Sequence, residues 1–260
     1  MAFGAPHRHY RRTESTNDRA RELAAAGAPH GTVVTASEQT AGRGRQGRTW
    51  TAPPGKALLY SAILRPLEEH HLALPLAVPL AVCAAAEELR PGSECRVKWP
   101  NDIWLEKRKL AGILIEARPQ DGWAVIGIGL NLSIATEEFP PELRETATSL
   151  FDPSASPLGP GKGGRGGGRR SLPAAAPPTP TPTALHASKV LSHHLNDWVE
   201  ADQATVLGSW RERDALRGRN VAWDGGSGVA DGVDDRGFLV VRTVAGDRVA
   251  LGAGEVHLRV

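Results

Sequence analysis

The 260-residue sequence predicts an α+β chain: a mixed, largely antiparallel sheet flanked by helices, with a small β-barrel at its end. Three features carry that expectation. Apolar and β-branched runs succeed one another between Cys95 and Leu132, separated by turn residues. Helical patterns stand on either side of those runs. From about Arg219 onward the chain consists of short strands broken by glycine turns.

Taken in order, "TESTNDRARELAAAG" (Thr13 to Gly27) sets hydroxyls ahead of good helix formers, with Ser15 and Asp18 spaced as a capping box. "GTVVTASEQT" from Gly31 and "ALLYSAILRP" from Ala57 read as strands. The alanine-rich stretch from Pro75 or Pro79 to Leu89 stops before Pro91 and Gly92, as a buried helix does. "CRVKWP", "DIWL", "KLAGILIEAR" and "WAVIGIGLNL" form a meander turned by "ND", "EKR" and "PQDG". Between Asp152 and Thr183 proline, glycine and arginine displace large apolar residues, which predicts a disordered insertion with a basic patch, "GKGGRGGGRR". "ALHASKVLSHHLNDWVEA" restores the helical period, with Leu185, Val190, Leu191, Leu195 and Trp198 on one face. The expected organisation is a core domain over residues 1–215, interrupted at 152–183, and a small β-domain over 216–260.

Composition narrows the function classes. Hydrophobic residues make up 40% of the chain, enough for a sizeable core. The longest apolar run, "LALPLAVPLAVCAAA" from Leu72, falls short of the roughly 20 residues of a membrane span and holds Pro75 and Pro79. No membrane span is expected. The N-terminus lacks the apolar region of a secretory signal, and Cys83 and Cys95 fit neither a disulfide framework nor a thiolate metal site. A cytoplasmic location is therefore expected. A net charge of +2 is too small for a nucleic-acid footprint over the whole chain, so any anion site should be local.

The local site with most charge is "TAGRGRQGRTW", Thr40 to Trp50. Its "GRGRQG" matches a dinucleotide-binding pattern, but that pattern needs a helix to follow, and Pro53, Pro54 and Gly55 forbid one. The arginines must supply the positive charge themselves, and the glycines between them suit a lid that folds over an anionic ligand. A solvated basic hairpin tip is the alternative. Elsewhere, Lys98, Asn101 and Asp102 of "KWPND" suit either an anion site or a plain strand end with an Asx turn. Lys109 opens an apolar strand, and Asn131 ends one behind two glycines; an asparagine amide can pair with an adenine edge. The nine histidines show no metal-ligand spacing, and no catalytic triad or carboxylate pair stands out. The implied chemistry is positioning and charge neutralisation.

In this order, "ESTN", "EQTAGRGRQGRTW", "KWPNDIWL", "RKLAGILIE" and "GIGLNL" resemble the biotin protein ligases, over residues from about 14 to 132. The resemblance implies a class II synthetase-like catalytic domain and a C-terminal Src-homology-3-like barrel. It implies two substrates, ATP and biotin, with Mg2+, joined as biotinyl-5′-AMP and then transferred to a lysine of a biotin carboxyl carrier domain of an acyl-CoA carboxylase. By matching position, Ser15, Thr16, Asn17, Gln39, Gly42, Arg43, Gly44, Arg45, Lys109 and Gly112 would bind biotin. Arg45, Arg48, Trp50, Asn101, Asp102, Lys109 and Asn131 would bind ATP and the adenylate. Arg45, Arg48, Lys98 and Lys109 would be catalytic, and no protein side chains would fix a metal. Some members of the family carry an N-terminal DNA-binding domain; here the signatures begin at Glu14, and ligase activity alone is expected. The insertion at 152–183 departs from the family pattern.

Two other readings compete. Lipoyl or octanoyl ligases make a similar acyl-adenylate, although the arginine loop and "KWPND" favour biotin. Nucleic-acid binding would suit the arginine-glycine runs, but an aromatic content of 5% offers few stacking platforms. No nucleic-acid or membrane partner is expected, and the chain could be a monomer or a homodimer.

Overall fold

The computed structural model describes residues 2–154, 181–252 and 256–258. The first strand, β1 (His7–Tyr10), leads into α1 (Thr16–Ala25) and β2 (Val33–Ala36), with which β1 pairs in parallel. Then follow β3 (Ala57–Leu64), α2 (Leu74–Leu89), β4 (Cys95–Lys98), β5 (Asp102–Leu105), β6 (Arg108–Arg118) and β7 (Trp123–Asn131). These strands make one seven-stranded sheet in the order β1-β2-β3-β7-β6-β5-β4, antiparallel except at the β1–β2 edge. The meander from β4 to β7 matches the sequence expectation, and β1 is an element that the sequence reading did not contain.

Two helices, α3 (Ala184–Val199) and α4 (Gln203–Glu212), precede a second sheet of β8 (Asn220–Trp223), β9 (Gly226–Val233), β10 (Leu239–Thr243), β11 (Arg248–Leu251) and β12 (His257–Leu258). Its order is β11-β10-β9-β8-β12, and no pairing joins β11 to β12 among the described residues. The expected barrel thus takes the form of an open antiparallel sheet. One hydrophobic cluster runs from α2 and the large sheet through α3 and α4 to Val221, Ala230, Leu239 and Val241 of the small sheet. The continuity of that cluster fixes the small sheet against the large one.

Sequence explains most of the elements. α2 is apolar all round and is buried against the sheet, α3 and α4, which is why Pro75 and Pro79 do not prevent it. The apolar stretch Glu69–Leu89 is long enough by composition to cross a membrane, but most of it is covered by this packing. In α3, Val190, Leu191 and Leu195 face the core, whereas Leu185 is exposed. Ser15 caps α1 only by position, because its side chain makes no cap hydrogen bond; the capping box with Asp18 does not form. Cys83 and Cys95 are both buried free thiols. The edge of β4 is covered: the Val97 amide donates to the Arg213 carbonyl at 2.8 Å, and Ala215 donates to Val97 at 2.9 Å. Most of the 152–183 insertion lies outside the described residues.

Candidate functional site

One cavity opens between the large sheet, the N-terminus of α1 and the arginine loop. Its walls include Ser15, Thr16, Asn17, Gln39, Arg43, Gly44, Arg45, Arg48, Trp50, Lys98, Asn101, Asp102, Lys109 and Gly112. These were named from sequence, and the fold brings them together from four separate segments. Gly42 stands just behind the cavity wall, where its carbonyl accepts the Trp50 amide at 2.9 Å. Asn131 is not brought in: its side chain is buried and donates to the Thr148 carbonyl at 2.9 Å.

The polar wall is built on α1. The Thr16 amide and hydroxyl both donate to Gln39 Oε1, at 2.7 and 2.9 Å. Asn17 Nδ2 donates to Glu116 Oε2 at 2.9 Å and to the Leu114 carbonyl at 3.3 Å. The Ser61 hydroxyl lies 2.6 Å from Asn17 Oδ1 and 2.9 Å from Thr16 Oγ1 and donates its one proton to either. Ser61 and Glu116 were missed from sequence. Ser61 sits in a strand without a motif, and Glu116 closes "RKLAGILIE" without a role of its own; only pairing across the sheet carries either to this wall.

The cationic wall depends on a β-bulge. Asp102 pairs with Gly112 and Ile103 with Ala111, but Trp104 pairs with Lys109, so Leu110 is an extra residue in β6. Regular alternation from Gly112 would turn Lys109 away from the cavity. The bulge turns it back, and Lys109 Nζ meets Asp102 Oδ1 at 2.7 Å. Lys98 pairs across β4 and β5 with Asp102 and so shares its face; its ammonium stands 5.6 Å from the centre of the Trp104 ring. Burial pushes the Lys98 pKa down, against the opposing pull of Asp102, while Lys109 and Arg48 add to the depression. Burial also lowers the pKa of Arg45, which stays charged at working pH.

The arginine loop folds back on itself. Arg43 bridges to Thr49, the Gly44 amide donates to the Arg48 carbonyl at 2.7 Å, and a single 3-10 turn covers Arg45–Gly47. No helix follows, as Pro53 and Pro54 required. Trp50 closes the loop by laying its indole over Gly112 and Gly129, with Lys109 Nζ 5.7 Å from the ring centre. The indole Nε1 is buried there without a hydrogen-bond partner among the described residues.

Asp102 is the only carboxylate among the described residues that line this cavity, and it is already paired. Such a set suits a Mg2+ ion that arrives on a polyphosphate and not one caged by protein. Elsewhere, His70, His71 and Glu200 bring three ligand atoms within 4.8 Å of one another, a cluster that the sequence reading did not foresee. His71 Nδ1 accepts the Glu68 amide at 2.9 Å, so its neutral ring carries the proton on Nε2, where a metal would need a lone pair. The cluster is thus an imidazole–carboxylate contact.

The comparisons with known proteins agree with this geometry. The model of the biotin/lipoate A/B protein ligase family matches residues 9–133. The biotin–[acetyl-CoA-carboxylase] ligase of Mycobacterium tuberculosis is 35% identical over 260 residues, 95% of this chain and 87% of that protein. The bifunctional ligase/repressor BirA of Bacillus spizizenii is 39% identical over 152 residues, 55% of this chain and 46% of that protein. The match to that relative thus spans under half of its length. Among solved structures, the biotin protein ligase from Aquifex aeolicus in complex with biotin and ATP superposes with a TM-score of 0.73 and 25% identity, covering 98% of this chain and 99% of that one. The chain belongs to the biotin/lipoate A/B protein ligase family.

Proposed function

We propose that the chain is a biotin protein ligase, which activates biotin with Mg-ATP and transfers it to a lysine of a biotin carboxyl carrier domain. The observation that carries this reading is the convergence of Arg45, Arg48, Lys98 and Lys109 on a cavity whose other wall is the Ser15, Thr16, Asn17 and Gln39 network. Two anions, a carboxylate and a triphosphate, repel each other, and only clustered cations can hold them in line.

In the first step a biotin carboxylate oxygen attacks the α-phosphorus of ATP, and the bond to pyrophosphate breaks. Lys109 stands where its ammonium can leave Asp102 for the incoming oxygens, with Arg45 and Arg48 on the loop side. Mg2+ arriving with ATP would supply further charge neutralisation. In the second step the neutral ε-amine of the acceptor lysine attacks the acyl carbon, the bond to AMP breaks, and the amine proton is released. The closed loop keeps water from the mixed anhydride. The polar wall supplies donors and acceptors of the kind a ureido ring requires.

The acceptor class is supported by the name of the Mycobacterium relative, an acetyl-CoA-carboxylase ligase. A cytoplasmic setting is supported by the two buried thiols, left free in the structure. The test is pyrophosphate release from Mg-ATP with biotin, lipoate or no acid, together with mass spectrometry of the bound product. Biotin-dependent release with biotinyl-5′-AMP retained is the expected result. Release with lipoate alone would move the chain to the lipoyl branch of its family.

A further inference from the structure

We infer that Glu116 is a positioning residue that ties the arginine loop to the polar wall of the cavity. It lies near the far end of β6, outside the cavity itself, as the last residue of "RKLAGILIE", to which the sequence reading gave no role. One carboxylate oxygen, Oε2, accepts both Arg43 Nη2 at 2.6 Å and Asn17 Nδ2 at 2.9 Å. The other, Oε1, meets Arg21 Nη1 at 3.4 Å. Asp18 completes the network, with its Oδ1 at 3.0 Å from Arg43 and 3.2 Å from Arg21. Two acids and two arginines alternate there, so the cluster is balanced in charge without any ligand.

Two consequences follow from one group. An ionised carboxylate can only accept, so Glu116 and the Leu114 carbonyl together oblige Asn17 to present Nδ2 to them. The Asn17 carbonyl is thereby turned toward Ser61 and kept as an acceptor in the cavity wall. The same oxygen holds Arg43, the first arginine of the loop, by a charge-assisted bond. Loop position and amide orientation are therefore set together, and neither requires Glu116 to touch substrate.

The test compares the wild-type chain with Glu116→Gln. Cleavage by trypsin after Arg45 and Arg48, followed by mass spectrometry on ligand-free protein, reads loop opening with no assumption about chemistry. We expect cleavage about tenfold faster in the variant, the size of a lost, partly exposed charged hydrogen bond. Raising salt should speed cleavage of the wild type more than that of the variant, in which Asp18 is the carboxylate left on Arg43, a signature that a purely structural defect does not produce. The second readout, which rests on the ligase reading, is release of pre-formed biotinyl-5′-AMP, expected to be about tenfold faster in the variant. Unchanged loop cleavage in the variant overturns the inference. Faster cleavage in a protein whose wild type makes no adenylate upholds it and removes the ligase reading instead. If Glu116→Gln fails to fold, Asp18→Asn removes the other carboxylate on Arg43 and carries the test: faster cleavage with a weaker salt response supports the latch, and wild-type behaviour overturns it.

Discussion

Gly127 and Gly129 stand in the middle of β7, hydrogen-bonded to β3 on one side and β6 on the other, whereas Gly42 and Gly44 stand in a loop closed by a few backbone bonds. The floor and the roof of one cavity thus use the same residue type for different ends. In the floor the missing Cβ makes room: a methyl on Gly127 would collide with the Asn17 amide, and one on Gly129 with the Trp50 indole. In the roof the two differ: a methyl on Gly42 would collide with the Trp50 carbonyl and the Gln39 side chain, whereas Gly44 has room and leaves the backbone free to change shape around charged side chains. The floor is held by strand pairing on both sides, and the roof by a few backbone bonds, so a lid that opens would open at the roof.

That contrast predicts different failures for the two regions. Lys109→Ala, in the floor, should lower single-turnover adenylate formation by roughly a hundredfold to a thousandfold, as loss of a group that stabilises developing charge does. Biotin affinity measured by calorimetry should change far less; a larger effect on affinity than on turnover would mean that Lys109 only binds. Gly129→Ala should weaken ligand binding by about tenfold or more and lower the melting temperature by a few degrees, because overpacking costs about 1–3 kcal/mol. Unchanged binding would show that Trp50 can leave the floor at little cost. Arg45→Gly, in the roof, should leave the melting temperature in place and let the adenylate escape about tenfold faster. Biotin appearing on bystander lysines would report the escape, and intact acceptor selectivity would count against a lid.

The pH profile sharpens the same division. Lys98 carries its charge below its pKa, and burial places that pKa under the ordinary lysine value. Activity should therefore fall on the alkaline side at a lower pH than an exposed lysine would dictate, and Lys98→Arg should move that limb upward. An alkaline limb that does not shift in the variant would assign the titration to another group. The smallest effect is expected from removing residues 155–180, which lie beyond the stretch 9–133 that the family model matches. Turnover of the deletion variant should stay within about twofold of the wild type, a change of a few tenths of a kcal/mol.

The four-strand meander, the alanine-rich helix ending at Leu89, the helix-less arginine loop and the family were legible in the sequence, although that helix starts at Leu74 and not at Pro75 or Pro79. These depend on local information: periodicity, proline, and runs of residues quoted whole. The β1 strand, pairing in parallel through "HRHY", has no apolar alternation to announce it, and α4 carries a weaker pattern than α3. Only tertiary structure decided what reaches the cavity. A single extra residue in β6, Leu110, decides that Lys109 faces Asp102, and a register cannot be read from one strand alone. Glu116 reaches Asn17 and Arg43 across separations of 99 and 73 residues. Asn131, at the end of a strand that matches the family motif, is instead committed to the Thr148 carbonyl. Motifs name the chemistry a chain carries, whereas side-chain direction is a property of strand pairing, which exists only once the sheet has formed.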